Sequence, residues 1–226
     1  MELSKLEKII GYKFGNKDLL KEALTHRSYI NENPKWGIED NERLEFLGDA
    51  VLELSVTEEL FKRFPERKEG PMTSYRAALV NYVMLGKIAM EMGLEKFVML
   101  SKGEARDSGK AREVILANAM ESLIGSIYLD GGQDAARAFI NKFILDHLEE
   151  VLRAGSYRDS KSLLQEKAQE KMKVTPVYKV LSQTGPDHAK TFNVGVYFGD
   201  KMIAKGDGSS KQEAEEAAAK EALVNL

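Results

Sequence analysis

The chain is organised around Asn41-Glu42-Arg43-Leu44-Glu45-Phe46-Leu47-Gly48-Asp49, a stretch that continues to Leu54 without a proline. Its Leu, Glu, Ala and Arg residues favour a helix. On a helix, four apolar residues share one face: Leu44, Leu47, Val51 and Leu54. Four acidic residues lie on the opposite face: Glu42, Glu45, Asp49 and Glu53. Because like charges four residues apart repel, this face predicts either a solvated surface paired with another helix or a site for a cation.

Size and composition predict a soluble protein of one or two domains. The chain has 226 residues, of which 43% are hydrophobic and 31% are charged. It contains no cysteine, which excludes disulfides and thiolate metal sites and fits a reducing cytosol. The first residues form no apolar signal segment, and no run of about 18 apolar residues occurs. We therefore expect a cytoplasmic protein without a membrane span.

Charge is unevenly distributed along the chain. Residues 156–226 carry 11 Lys and Arg against 10 Asp and Glu, a net of +1, whereas residues 1–155 carry 22 against 26, a net of −4. The total of −3 argues against a uniformly basic nucleic-acid binder, so the partner must be inferred from local patches.

The hydrophobic periods divide the chain into two domains and a linker: 1–153, 154–159 and 160–226. The first domain is predicted to be all-α, with helices over these segments: 3–10, 17–24, 42–64, 72–92 (one or two helices), 113–130 and 135–152. Residues 25–29 are predicted to close the second helix, and residues 31–40 to form a loop. The second domain is predicted to be a small α+β domain of order α-β-β-β-α: helix 160–172, strands 177–182, 192–198 and 201–205, and helix 211–226.

A second helical segment, residues 113–130, changes the interpretation of the acidic face. Asn118 and Glu121 lie opposite its apolar face, beside the small residues Ser122 and Gly125. Small residues let another helix approach closely, so this pair could converge with Glu45 and Asp49. An all-oxygen ligand set suits Mg²⁺ or Mn²⁺. A buried polar cluster bridged by a lysine is the alternative that spacing leaves open.

The stretch from Asn41 to Leu52 resembles the signature of the ribonuclease III family, which are endonucleases of double-stranded RNA. Three more segments resemble that family: Thr25–Tyr29, Ser101–Glu104 and Ile124–Asp130. The second domain resembles a double-stranded-RNA-binding domain over Asp159–Glu166, Gly185–Phe192 and Gly206–Glu215. The resemblance covers essentially the whole chain, in the bacterial two-domain order.

The resemblance implies a Mg²⁺-dependent site, with Mn²⁺ as a substitute and no organic cofactor. Asp49 and Glu121 match the catalytic pair. The implied metal ligands are Glu45, Asp49, Asn118 and Glu121; accessory acidic positions are Glu42 and Glu69. Asn118 stands where most members have Asp, which is interpreted as a tolerated variant in preference to an inactivation or a weakened metal affinity. Glu53 is assigned to the solvated surface.

The resemblance also implies two binding surfaces. Phe46 matches a Phe that enters a pocket of a second subunit, which implies a homodimer; core packing is the alternative. A-form RNA is recognised by shape, 2′-hydroxyls and phosphates. RNA contacts are expected from eight residues of the second domain: Lys161, Gln165, Glu166, Pro186, Asp187, His188, Ser210 and Lys211.

The predicted function is therefore metal-assisted hydrolysis of double-stranded RNA to 5′-phosphate and 3′-hydroxyl ends, in the processing of structured rRNA and mRNA precursors. The alternative is a weakened or inactive protein that binds duplex RNA, because Asn118 removes one negative charge.

Overall fold

The computed structural model describes residues 3–106, 108–154, 160–186 and 190–224. They divide into two compact units, Met1–Tyr157 and Arg158–Leu226. Every regular element of the first unit in these ranges is a helix, whereas the second unit combines helices with a three-stranded sheet. The predicted fold class is confirmed. Residues 155–159 of the predicted linker lie outside the described residues.

Eight α-helices form the described part of the first unit: α1 Leu3–Ile10, α2 Lys17–Ala23, α3 Arg27–Glu32, α4 Glu42–Arg63, α5 Glu69–Val80, α6 Tyr82–Glu91, α7 Lys110–Phe143 and α8 Leu148–Ala154. Helices α4 and α7 form the centre of the unit, and their apolar faces contribute the largest share of fully buried side chains, including Leu52, Leu60, Leu116, Met120 and Leu123. Burying a side chain of this size contributes about 1.5–3 kcal/mol, so the packing of these two helices is a main source of the stability of the unit.

Two predictions for this unit are wrong. Residues 27–32 form the short helix α3 rather than the end of α2 and a loop, because His26 caps it by accepting a hydrogen bond from the amide of Ser28. The predicted helix 135–152 is interrupted after Phe143 by a 3-10 turn, Leu145–His147. The gap predicted between helices 113–130 and 135–152 is present as a break inside α7, where Gly132 has φ of 76°.

The second unit contains α9 Ser160–Met172, β1 Val177–Thr184, β2 Thr191–Phe198, β3 Lys201–Gly208 and α10 Lys211–Val224. The strands pair antiparallel in the order β1-β2-β3. One face of the sheet packs on both helices through a core that includes Leu164, Val196 and Ala218. Gly206 lies so close to α10 that a Cβ atom there would be 2.2 Å from the amide nitrogen of Ala218. The helices thus cover one face of the sheet, as the predicted α-β-β-β-α order requires.

None of the helices in the described ranges is both long enough and apolar enough to cross a membrane.

Candidate functional site

The candidate site forms where α4 crosses α7, and two glycines allow this crossing. A Cβ atom at Gly48 would lie 1.8 Å from the carbonyl oxygen of Glu121, and one at Gly125 would lie 2.3 Å from the carbonyl oxygen of Leu44. No other residue type fits there, so the two backbones are in direct contact. The expectation that small residues of α7 admit a second helix is confirmed.

This crossing brings the four predicted metal-site residues to one region of the surface. Glu45 and Asp49 flank Gly48 on α4, and Glu121 is the residue whose carbonyl Gly48 contacts. Asn118 lies one turn before Glu121 and its side chain forms a hydrogen bond with Glu45. Asp49 is exposed, whereas the other three side chains are partly buried. The site therefore combines three partly buried side chains with one side chain that is exposed to solvent.

Burial and the mutual repulsion of the acidic groups dominate the electrostatics of the site. Burial, followed by the charges of Asp49 and Glu45, raises the pKa of Glu121 to about 8. Burial and the charge of Glu42 raise the pKa of Glu45, while the hydrogen bond from Asn118 opposes this rise. A divalent cation at this place would reverse both effects.

The donor set fits a hard cation, because it consists of three carboxylates and one amide oxygen. The side chains are not gathered into a coordination shell, however: within residues 3–106, 108–154, 160–186 and 190–224, no three His, Asp or Glu side chains are grouped closely enough to hold a metal ion. Metal binding would require the carboxylates to move towards one another. The Mg²⁺ site thus stays a prediction that is supported by the chemistry and the charge of the donors.

The remaining acidic residues of the predicted site are occupied by other contacts. Glu42 forms an ion pair with Arg27, with 3.2 Å between Oε1 and Nη1. Glu69 begins α5 and accepts a hydrogen bond from the hydroxyl of Thr73. Glu53 is partly exposed, as expected, but it forms an ion pair of 2.8 Å with Arg76 of α5. These ion pairs join distant segments, so sequence spacing could not predict them.

Phe46 lies outside the core, with 83% of its surface exposed. The structure thus contradicts the core-packing alternative. Leu54, which the helical pattern assigned to the buried face, is 53% exposed. Leu54 lies about two turns after Phe46 on α4, and Phe61, about two turns further on, is 71% exposed. These three residues form an exposed apolar stripe along α4.

The predicted RNA-binding residues that the structure describes lie on α9, after β1 and at the start of α10. Gln165 and Glu166 are exposed on α9, and Pro186 is exposed after β1. Ser210 caps α10 by accepting a hydrogen bond of 3.1 Å from the amide of Glu213, and Lys211 is exposed at the first residue of that helix. Asp187 and His188 lie outside the described residues.

Lys161 has a structural contact that the sequence did not indicate. Its ammonium group lies 2.5 Å from a carboxylate oxygen of Glu215 on α10 and 5.1 Å from the centre of the Tyr178 ring. These contacts tie α9 to α10 and to the sheet. The predicted RNA contact of Lys161 would have to form beside them.

Sequence reasoning missed two buried polar residues next to the site. Asn41 is 2% exposed at the start of α4, and Ser122 is fully buried on α7. The hydroxyl of Ser122 lies 3.1 Å from the carbonyl oxygen of Asn41. The mostly apolar neighbours of Ser122 in the sequence were a usable signal of its burial, whereas Asn41 has charged neighbours on both sides and gave none. The contact itself depends on how the two helices are aligned.

Both units of the chain match known protein families. Residues 16–148 match a ribonuclease-III-like family, and residues 160–226 match the double-stranded RNA binding motif. The chain is 44% identical to Ribonuclease 3 of Syntrophobacter fumaroxidans, over 98% of this chain and 93% of that protein. It is 45% identical to Ribonuclease 3 of Carboxydothermus hydrogenoformans, over 99% of this chain and 95% of that protein. A solved nuclease domain of ribonuclease III from Campylobacter jejuni is 41% identical with a TM-score of 0.58, covering 64% of this chain and 97% of that structure. The chain therefore belongs to the ribonuclease III family.

Proposed function

We propose that the protein is a Mg²⁺-dependent endoribonuclease of double-stranded RNA. The observation that carries the proposal is the acidic cluster at the crossing of α4 and α7, in a chain that also contains a double-stranded RNA binding motif. Membership of the ribonuclease III family supports the substrate class.

The proposed chemistry is hydrolysis of a phosphodiester. A bound Mg²⁺ ion supplies a water of lowered pKa and an electrostatic partner for the charge that develops on the leaving oxygen. Glu45, Asp49, Asn118 and Glu121 would hold the ion, with Asp49 and Glu121 as the catalytic pair. The oxygen of water bonds to phosphorus, the bond from phosphorus to the 3′ oxygen breaks, and that oxygen takes up a proton. The products carry 5′-phosphate and 3′-hydroxyl ends.

The second unit is proposed to bind the duplex through α9, the turn after β1 and the start of α10. Gln165 and Glu166 are exposed and can hydrogen-bond to 2′-hydroxyls. Lys211 at the start of α10 combines a positive charge with the positive end of the helix dipole, and both favour a phosphate. Pro186, Asp187 and His188 would contribute the turn that enters a minor groove.

The exposed apolar stripe of α4 is proposed as part of a homodimer interface. Three large apolar side chains on one helix, Phe46, Leu54 and Phe61, are costly to leave in water. The Campylobacter jejuni structure is described as having a region involved in dimer formation, which supports this use of the nuclease unit. A dimer would have two candidate sites and could cut both strands of a duplex.

The cellular role is proposed from the family alone. We infer a cytoplasmic enzyme that processes structured rRNA and mRNA precursors and uses no organic cofactor.

A second candidate function is duplex binding without cleavage, and Asn118 is the observation that favours it. An amide at this position leaves the site with three carboxylates and one ligand that carries no charge. If this candidate is correct, the wild-type protein binds duplex RNA without turnover, and Asn118→Asp creates cleavage.

The test is cleavage of a long RNA duplex at several Mg²⁺ concentrations, with duplex binding measured beside it. We expect the wild-type protein to cut, and Glu121→Gln to lose at least about a thousandfold of the rate while it still binds the duplex. Glu149→Gln, at an exposed position of α8, serves as a control that leaves both the acidic cluster and the proposed RNA-binding residues intact. Cleavage that is independent of Mg²⁺, or that survives Glu121→Gln, would refute the proposed site.

A further inference from the structure

A buried hydrogen-bond junction joins the two helices that carry the candidate site. The hydroxyl oxygen of Ser122 on α7 lies 3.1 Å from the carbonyl oxygen of Asn41 and 2.7 Å from that of Asn118. Ser122 is fully buried and Asn41 is 2% exposed, so water cannot replace these bonds. The single hydroxyl proton of Ser122 is therefore shared between two carbonyl oxygens, that of Asn41 before α4 and that of Asn118 on α7.

The carbonyl oxygen of Asn41 is the centre of this junction. It accepts the first hydrogen bond of α4, from the amide of Glu45 at 2.8 Å, as well as the bond from Ser122. One atom thus connects the backbone of Glu45 with the side chain of the residue that follows Glu121. On α7 the same hydroxyl contacts the backbone of Asn118. Three of the four predicted metal-site residues therefore adjoin the junction. Glu45 and Asn118 are hydrogen-bonded to it through their backbones, and Glu121 directly precedes Ser122.

Asn41 is itself anchored from the other side. The backbone N–H of Asn41 donates a hydrogen bond of 2.9 Å to the carbonyl oxygen of Thr25. The hydroxyl of Thr25 donates to the carbonyl of Lys21 at 2.7 Å and accepts a hydrogen bond of 3.2 Å from the indole of Trp36. Trp36 thus fastens the loop before α4 to the end of α2. As a consequence, the start of α4 cannot shift without breaking buried hydrogen bonds.

We infer that Ser122 is a positioning residue for the metal site, which it serves by fixing the start of α4 against α7. The inference rests on the proposed function, because it concerns the alignment of Glu45 with Asn118 and Glu121. The contact at Gly48 and Gly125 sets the distance between the helices, but a van der Waals contact has little directional preference. The hydrogen bond from Ser122 is directional, so it fixes the orientation of the start of α4 relative to α7. Residues that orient ligands without touching the ion commonly affect metal affinity about 10- to 100-fold.

The chain offers a matched control at Ser126. This serine lies one turn further along α7 and is also fully buried. Its hydroxyl donates to the carbonyl oxygen of Leu123 at 2.8 Å, within the same helix. Replacing either serine by alanine removes one buried hydroxyl from α7, but only Ser122→Ala removes a bond to the segment that begins α4.

The experiment measures Mg²⁺ binding to the full-length wild-type, Ser122→Ala and Ser126→Ala proteins by titration calorimetry without RNA, with thermal unfolding as the check on folding. We expect Ser122→Ala to weaken Mg²⁺ binding by about tenfold and Ser126→Ala to leave it unchanged. Saturating Mg²⁺ should restore duplex cleavage by Ser122→Ala, with KM for RNA unaltered, because the loss lies in metal affinity.

Two outcomes overturn the inference and are distinguishable. Mg²⁺ binding by the wild-type protein with no difference between Ser122→Ala and Ser126→Ala shows that Ser122 does not position the site, and leaves the proposed function intact. A wild-type protein that does not bind Mg²⁺ overturns the proposed metal site and this inference together.

Discussion

At the scale of single residues, Glu121 carries the main electrostatic cost of the candidate site. Its ordinary pKa of 4.5 is raised to about 8 by burial and by the charges of Asp49 and Glu45. Between these two pH values the unfolded chain has lost this proton while the folded protein keeps it. The free energy of unfolding therefore falls as pH rises through this window, by up to a few kcal/mol, on the order of 1.4 kcal/mol per pKa unit.

Glu121→Gln should remove this contribution, because an amide cannot ionise. In the presence of a chelator, we expect the variant and the wild-type protein to have similar free energies of unfolding near pH 4.5, the ordinary pKa of this group. Near pH 8, the variant should be the more stable of the two. Urea unfolding over this range measures the difference. A constant difference between the two proteins at all pH values would contradict the raised pKa.

The residues of the candidate site could be proposed at this scale, but their contacts could not. The residue types and spacing of Glu45, Asp49 and Glu121 indicated a cation site before any geometry was available. The bonds of Ser122 with Asn41 depend instead on the alignment of two helices that are far apart in sequence. Residue spacing along one helix contains no information about such an alignment.

At the scale of elements, the crossing of α4 and α7 should tolerate no side chain at Gly48. Alanine normally stabilises a helix relative to glycine by about 1 kcal/mol. Here its Cβ atom would lie 1.8 Å from the carbonyl oxygen of Glu121, so the helices must separate. We expect Gly48→Ala to lower the free energy of unfolding by about 1–3 kcal/mol or more, as other overpacked sites do, and to weaken Mg²⁺ binding.

Gly70 of α5 is the matched control, since no atom lies within 4 Å of a Cβ built there. Gly70→Ala should leave stability unchanged or raise it slightly. Denaturant unfolding of both variants tests the difference, and equal effects would exclude close packing as the reason for the glycine at position 48.

The elements themselves were predictable where the hydrophobic period was long. Helix α4 and the three strands lie where the sequence predicted them, and the strands exceed the predicted limits by only a few residues. Helix α3 was missed because six residues are too few to establish a period. The interruption after Phe143 has no glycine or proline to announce it; buried Leu145 and Leu148 show that packing against the core determines it.

At the scale of the whole molecule, the apolar stripe of α4 is the feature that a single chain leaves unexplained. Burying a Phe side chain contributes about 1.5–3 kcal/mol, and a twofold interface uses each residue twice. We therefore expect Phe46→Ala to raise the dissociation constant of the dimer by about two orders of magnitude or more. Met90→Ala is the control, because Met90 is 51% exposed on α6, away from the stripe.

Sedimentation equilibrium of the wild-type protein and both variants measures this constant. Because the two RNA-binding units would separate with the nuclease units, Phe46→Ala should also reduce cleavage of both strands at low protein concentration and recover at high concentration. This dependence on concentration distinguishes a lost interface from a damaged site. The prediction is contradicted if the wild-type protein is monomeric at all concentrations, or if Phe46→Ala dimerises as well as Met90→Ala. Either result would show that the apolar stripe is not a dimer interface.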